Sequence, residues 1–106
     1  MTRKPHDHYL QLKERHGEVL AAVEALGAAA RSAGPLDAKT TQLIQLAAAA
    51  AIRSEGATHS HTLRALEAGA SAEEIRHALL VLSTTLGYPA VAAALSWADD
   101  VLEREH

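Results

Sequence analysis

Apolar residues along this chain recur at intervals of three and four, broken at a few sharp points. Leu12, Val19, Val23, Leu26 and Ala30 fall on one stripe with His16, and charged residues fall elsewhere. That spacing predicts a helix over about 8–30, stopped by Gly34-Pro35. Asp37 is placed to cap a second helix, which carries Leu43, Ile44, Leu46 and the run Ala47–Ala51 to about Arg53. Ser54 is placed to cap a third, from about Glu55 to Ala68, ended by Gly69 in the left-handed conformation that glycine adopts easily. Ser71-Ala72-Glu73-Glu74 is a capping box, and it opens a fourth helix with Ile75, Leu79, Leu82 and Leu86 at helical spacing. Gly87 closes that helix. Pro89 then suits the first position of a fifth, carrying Val91, Leu95, Ala98, Val101 and Leu102. Residues 1–7 and 103–106 are expected to fray. No run alternates β-branched and polar residues, so no strand is predicted. Five helices on short connections define an all-α fold, a helical bundle or stacked hairpins, in a single domain over 1–106.

Composition changes this picture in one respect. Hydrophobic residues make up 48% of the 106, yet aromatics only 3%, with no Phe and a single Trp. The apolar content is therefore Ala, Leu, Val and Ile, and alanine buries little area per residue. A monomer built this way is marginal, and association is the economical remedy, so a homo-oligomer is expected. The Ala47–Ala51 run has two readings: close approach by neighbouring helices, or simply alanine's high helix propensity. Net charge is −3 and no basic run stands out, which argues against nucleic-acid binding. No stretch approaches ~20 uncharged apolar residues, and nothing at the start reads as a signal peptide, so no membrane span is expected and a cytoplasmic location is the default. The absence of cysteine removes disulfides, thiolate nucleophiles and zinc–thiolate sites together.

Three stretches, in their order and spacing, carry a family likeness. They are Leu36-Asp37-Ala38-Lys39-Thr40 entering a helix, His61-Thr62-Leu63-Arg64-Ala65-Leu66-Glu67-Ala68-Gly69-Ala70, and Glu73-Glu74-Ile75-Arg76. Over about 36–97 the chain resembles the carboxymuconolactone decarboxylase-like family, which includes the alkylhydroperoxidase D-like proteins. Leu86-Gly87-Tyr88-Pro89-Ala90 looks like the decarboxylase branch. The resemblance implies a central antiparallel helical hairpin and assembly as dimers, trimers or hexamers.

The thiol branch of that family opens its third helix with two cysteines three residues apart, a histidine four residues later, and a glutamate one helix upstream. The matching positions here are Ser54, Ala57, His61 and Gln42. Only the histidine is kept. A helix N-terminus favours a thiolate, but a serine hydroxyl is far too weak an acid for the same effect to matter, and Ala57 has no chemistry at all. Dithiol peroxide reduction is excluded.

What remains is a non-redox reading. His61 can act as general acid or base near neutral pH, with Gln42 facing it if the family hairpin holds. The competing reading is a buried, hydrogen-bonded histidine kept for packing. By analogy with the family, the reaction would be a lyase step on a small organic acid or lactone without a cofactor. Gln42 and Ser54 would then hydrogen-bond the substrate. A carboxylate needs a partner such as Arg53, Arg64 or Arg76, and Tyr88 and Trp97 could wall the site or anchor the core or a subunit interface. Ser54 is fully explained as a helix cap. Two other readings stay open: a non-catalytic oligomeric binding or scaffold protein, and a metal-binding protein. For the latter, Glu55 and His59 stand four apart on one helical face, with His77 as a further ligand. His59 and His61 point about 200° apart and cannot share an ion. His6-Asp7-His8 offers only opportunistic metal binding at a polar terminus.

Overall fold

The computed structural model describes residues 5–104, and every regular element among them is helical. The five expected helices are found, with the first and fourth each divided in two. The chain forms two compact units, one up to Leu36 and one from Asp37 onward.

The first unit holds α1 (Pro5–Arg15) and α2 (Gly17–Arg31). The predicted single helix breaks at His16, whose backbone (φ −136°, ψ 46°) leaves the helical region just before Gly17. Glycine is among the weakest helix formers, which makes the break inexpensive there. The bend lets the Tyr9 hydroxyl donate to the Glu24 carboxylate, fifteen residues on. No residue of α2 is buried, and Val19, Val23 and Leu26 are 65, 58 and 70% exposed. The expected fraying at 1–4 and 105–106 lies outside the described residues, while helix already begins at Pro5 and runs on to Leu102.

The second unit holds α3 (Ala38–Ala51), α4 (Glu55–Glu67), α5 (Ala72–Leu80), the single turn α6 (Ser83–Leu86) and α7 (Tyr88–Leu102). The predicted caps are present. Asp37 accepts from the Thr40 amide at 2.8 Å, and Ser54 from the Ala57 amide at 3.2 Å. Ser71 and Glu74 complete the reciprocal box at 2.9 and 3.0 Å. Lys39 pairs with Glu74 at 2.9 Å and ties the start of α3 to the start of α5. The long fourth helix is interrupted because the backbone tightens after Leu80, where the Leu82 amide bonds to the Leu79 carbonyl three residues back.

α3 and α4 form the expected antiparallel hairpin, with α7 lying against α4 and α5. Both helices of the hairpin end on a residue in left-handed conformation. After α4 it is Gly69 (φ 100°), with Ala70 bonding back to the Ala65 carbonyl at 2.9 Å and Gly69 to Leu66 at 3.0 Å. After α3 it is Arg53 (φ 56°), with Ser54 bonding back to Ala49 at 3.0 Å and Arg53 to Ala50 at 3.1 Å. These are paired Schellman closures, the second without the usual glycine.

The core is Leu46 and Ala50 of α3, Ala65 of α4, Ala70, Ile75 and Leu79 around α5, and Ala94, Ala98 and Leu102 of α7. Alanine supplies much of it, which lets the helix backbones approach closely. Within the alanine run the two readings divide: Ala49 and Ala50 are buried, whereas Ala48 and Ala51 are exposed. Thr58 and Thr62 are fully buried on α4, and each hydroxyl is satisfied by the carbonyl four residues back at 2.7 Å. No described helix is long and apolar enough to cross a membrane.

Candidate functional site

The hairpin brings Gln42 and His61 together. Gln42 lies one turn into α3 and is buried, and His61 lies in the second turn of α4 and is half-buried. His61 Nδ1 stands 2.9 Å from Gln42 Oε1. A carboxamide oxygen only accepts, so the ring nitrogen donates and Nδ1 carries a proton. In the neutral ring Nε2 is then the unprotonated nitrogen. This is the geometry of a histidine held in one tautomer by a neighbouring acceptor.

The remaining residues fall around this pair unequally. Ser54 is two turns before His61 on α4, and its Oγ is engaged by the Ala57 amide. Its position is that of a helix cap. Arg64 is one turn beyond His61, half-buried, and has no acidic partner among the described residues. Arg76 is committed to Asp99 at 3.0 Å. Arg53 is exposed in the connection between the two helices. Trp97 is half-buried on α7, and Tyr88 is 70% exposed at its start, so Tyr88 anchors no core here.

His59 takes the opposite direction on α4. It is buried, its Nε2 lies 2.9 Å from Asp100 Oδ2 on α7, and Glu55 Oε2 is 3.9 Å away. Sequence spacing pairs Glu55 with His59 and suggests His77 as a third group. Asp100 occupies that place, while His77 is exposed on α5 and joins no such cluster among the described residues. Asp100 is separated from His59 by 41 residues, so no local signal points to it. His8 is exposed at the start of the chain, and the His6 side chain lies outside the described residues.

An all-helical unit built on an antiparallel hairpin, with a histidine of one helix fixed by an amide of the other, defines the class. The profile of the Carboxymuconolactone decarboxylase family matches residues 17–100, and the chain belongs to that family. The match reaches from the first residue of α2 into α7, further toward the start than the motifs recognisable by eye. It is a cysteine-free member. No curated protein and no solved structure matches the chain.

Proposed function

We propose that this protein is a non-redox lyase acting on a small organic acid or lactone, with His61 as its general acid and base. The observation that carries the reading is the 2.9 Å contact between His61 Nδ1 and Gln42 Oε1. It supports the reading by seating the imidazole against α3, and in this scheme Nε2 exchanges a proton with substrate. Gln42 is a positioning residue in this scheme. Arg64, one turn away without an acidic partner among the described residues, supplies the two-pronged donor that a substrate carboxylate needs.

For an unsaturated lactone acid the step balances without a redox partner. The carbon–carboxylate bond breaks, CO2 leaves, and its electron pair passes into the conjugated carbonyl. Protonated His61 then delivers a proton to carbon, and solvent restores the proton to the ring. General acid catalysis of this kind contributes roughly 10²–10⁴-fold.

Carboxymuconolactone is the substrate to test, with His61→Ala and Gln42→Ala alongside the parent protein. The expected result is a fall in kcat of about 10²–10⁴-fold for His61→Ala and a smaller fall for Gln42→Ala. Equal rates with and without the imidazole would remove His61 from the mechanism. No turnover by any of the three would remove the activity.

The same reading includes self-association, from a dimer to a hexamer. Its support is the exposed apolar surface on each unit: Val19, Val23 and Leu26 on one, Ile44, Ile52 and Val81 on the other, all more than half exposed. A monodisperse monomer in native mass spectrometry of untagged protein would rule this out.

A further inference from the structure

We propose that Glu55, His59 and Asp100 form a binding site for one divalent first-row transition ion, separate from the Gln42–His61 pair. The separation follows from helical geometry. His59 and His61 are two residues apart on α4, so their side chains diverge by about 200°. His61 meets α3, and His59 meets α7.

The three donor atoms already surround one point. His59 Nε2 lies 2.9 Å from Asp100 Oδ2 and 3.9 Å from Glu55 Oε2, and all three atoms fall within 4.8 Å of one another. Bonds of about 2.0–2.2 Å to nitrogen and carboxylate oxygen place neighbouring donors about 2.9–3.5 Å apart, and opposed ones about 4 Å apart. The two separations from His59 Nε2 fall at the two ends of that range. Glu55 and His59 sit at i and i+4 on one face of α4, the arrangement by which a helix presents two ligands together. Asp100 closes the site from a second helix.

Charge points the same way. Two carboxylates share a single imidazole, and among the described residues His59 is the only ion-pair partner of either. Arg104 lies close, but its Nε is bonded to the Asp100 backbone carbonyl at 2.8 Å, not to the carboxylate. With the imidazole neutral the cluster carries two negative charges, the complement of a divalent cation. One imidazole with two carboxylates suits ions such as Zn²⁺, Co²⁺ or Mn²⁺ better than Cu⁺, which prefers sulfur. The His59 side chain is only 7% exposed and fixes one ligand, whereas Glu55 and Asp100 are 59 and 55% exposed and are free to adjust. Their exposure leaves the remaining coordination positions to water. An ion held here would clamp the first turn of α4 to the last third of α7.

The test is calorimetric titration of untagged protein, never exposed to a metal resin, with Zn²⁺, and absorption spectroscopy with Co²⁺ as a reporter of coordination. The expected result is saturable binding of one ion per chain, with Co²⁺ bands from a nitrogen–oxygen ligand set and a metal-dependent rise in Tm. Glu55→Gln and Asp100→Asn each change an exposed side chain, and melting without metal checks that both variants fold. Each should weaken binding by about 10-fold or more, since even outer partners of a metal ligand are worth that much. His6→Ala/His8→Ala should bind as the parent does. Absence of saturable binding overturns the proposal, as does affinity unchanged in either carboxylate variant or lost with the terminal histidines.

Discussion

The family resemblance matches Ser54 to a cysteine of the thiol branch, and its two roles, helix cap and chemical group, separate cleanly by substitution. Its backbone (φ −93°, ψ 106°) is the extended conformation of an N-cap, and its Oγ accepts from the Ala57 amide at 3.2 Å. Ser54→Ala deletes that acceptor and leaves an amide of the first turn of α4 without a protein partner. Such losses cost about 1 kcal/mol within a range of roughly 0.5–2, and the long contact with a half-buried residue puts this one near the middle. For a chain of this size 1 kcal/mol lowers Tm by about 4–8 °C. Glycine, which caps almost as well as threonine, should cost only a few tenths of a kcal/mol, and aspartate should match serine. The expected order of Tm is therefore Ser ≈ Asp, then Gly, then Ala. Turnover should follow His61 and ignore residue 54. Thermal unfolding of the four proteins, with lyase assays below the lowest Tm, reads both quantities. A parental Tm in Ser54→Ala would refute the cap. Loss of activity in Ser54→Gly and Ser54→Asp with stability preserved would make the hydroxyl chemical.

Leu79 is fully buried on α5 in a core otherwise rich in alanine, so little volume nearby can collapse into a gap. Leu79→Ala should cost about 3–4 kcal/mol, a large share of the roughly 5–15 kcal/mol available to a small domain, as measured by urea unfolding. Acid should weaken the helix caps in a defined window. Hydrogen bonding from the Thr40 side chain and amide holds the Asp37 carboxyl below its ordinary value, and the Ser71 amide, followed by Lys39, does the same for Glu74. Both lowered groups stabilise the fold above their unfolded pKa values of about 4, and the contribution is lost as pH falls through the lower folded values. The acid limb of Tm against pH should therefore be shallower in Asp37→Asn/Glu74→Gln than in the parent protein.

The features legible in the sequence are those that act over a few residues. Asp37, Ser54 and the Ser71–Glu74 box each mark a helix start through contacts three residues long. The Gln42–His61 contact joins positions nineteen apart, and it was within reach only through the family likeness of the hairpin. The breaks at His16 and after Leu80 were not legible, because the apolar stripe runs through both without a proline or a cap. The burial of Thr58 and Thr62 was hidden for a related reason. A polar residue on an apolar face reads as exposed, yet here each hydroxyl is satisfied within its own helix. Asp100 became visible beside Glu55 and His59 only once α7 lay against α4, and packing between distant elements leaves no periodic trace.

The joint between α3 and α4 has a consequence for how this protein tolerates change. Ser54 serves both helices at once: its amide closes the end of α3 through Ala49, and its hydroxyl opens α4 through Ala57. No spare residue separates the two motifs. Adding or deleting one would turn α4 by about 100° about its axis and carry His61 away from Gln42 and His59 away from Asp100 together. Composition is less constrained than length. Arg53 occupies a left-handed position that glycine or asparagine would fill with less strain, so its identity is open to drift. Across descendants of this sequence the joint is expected to vary in spelling while its residue count stays fixed.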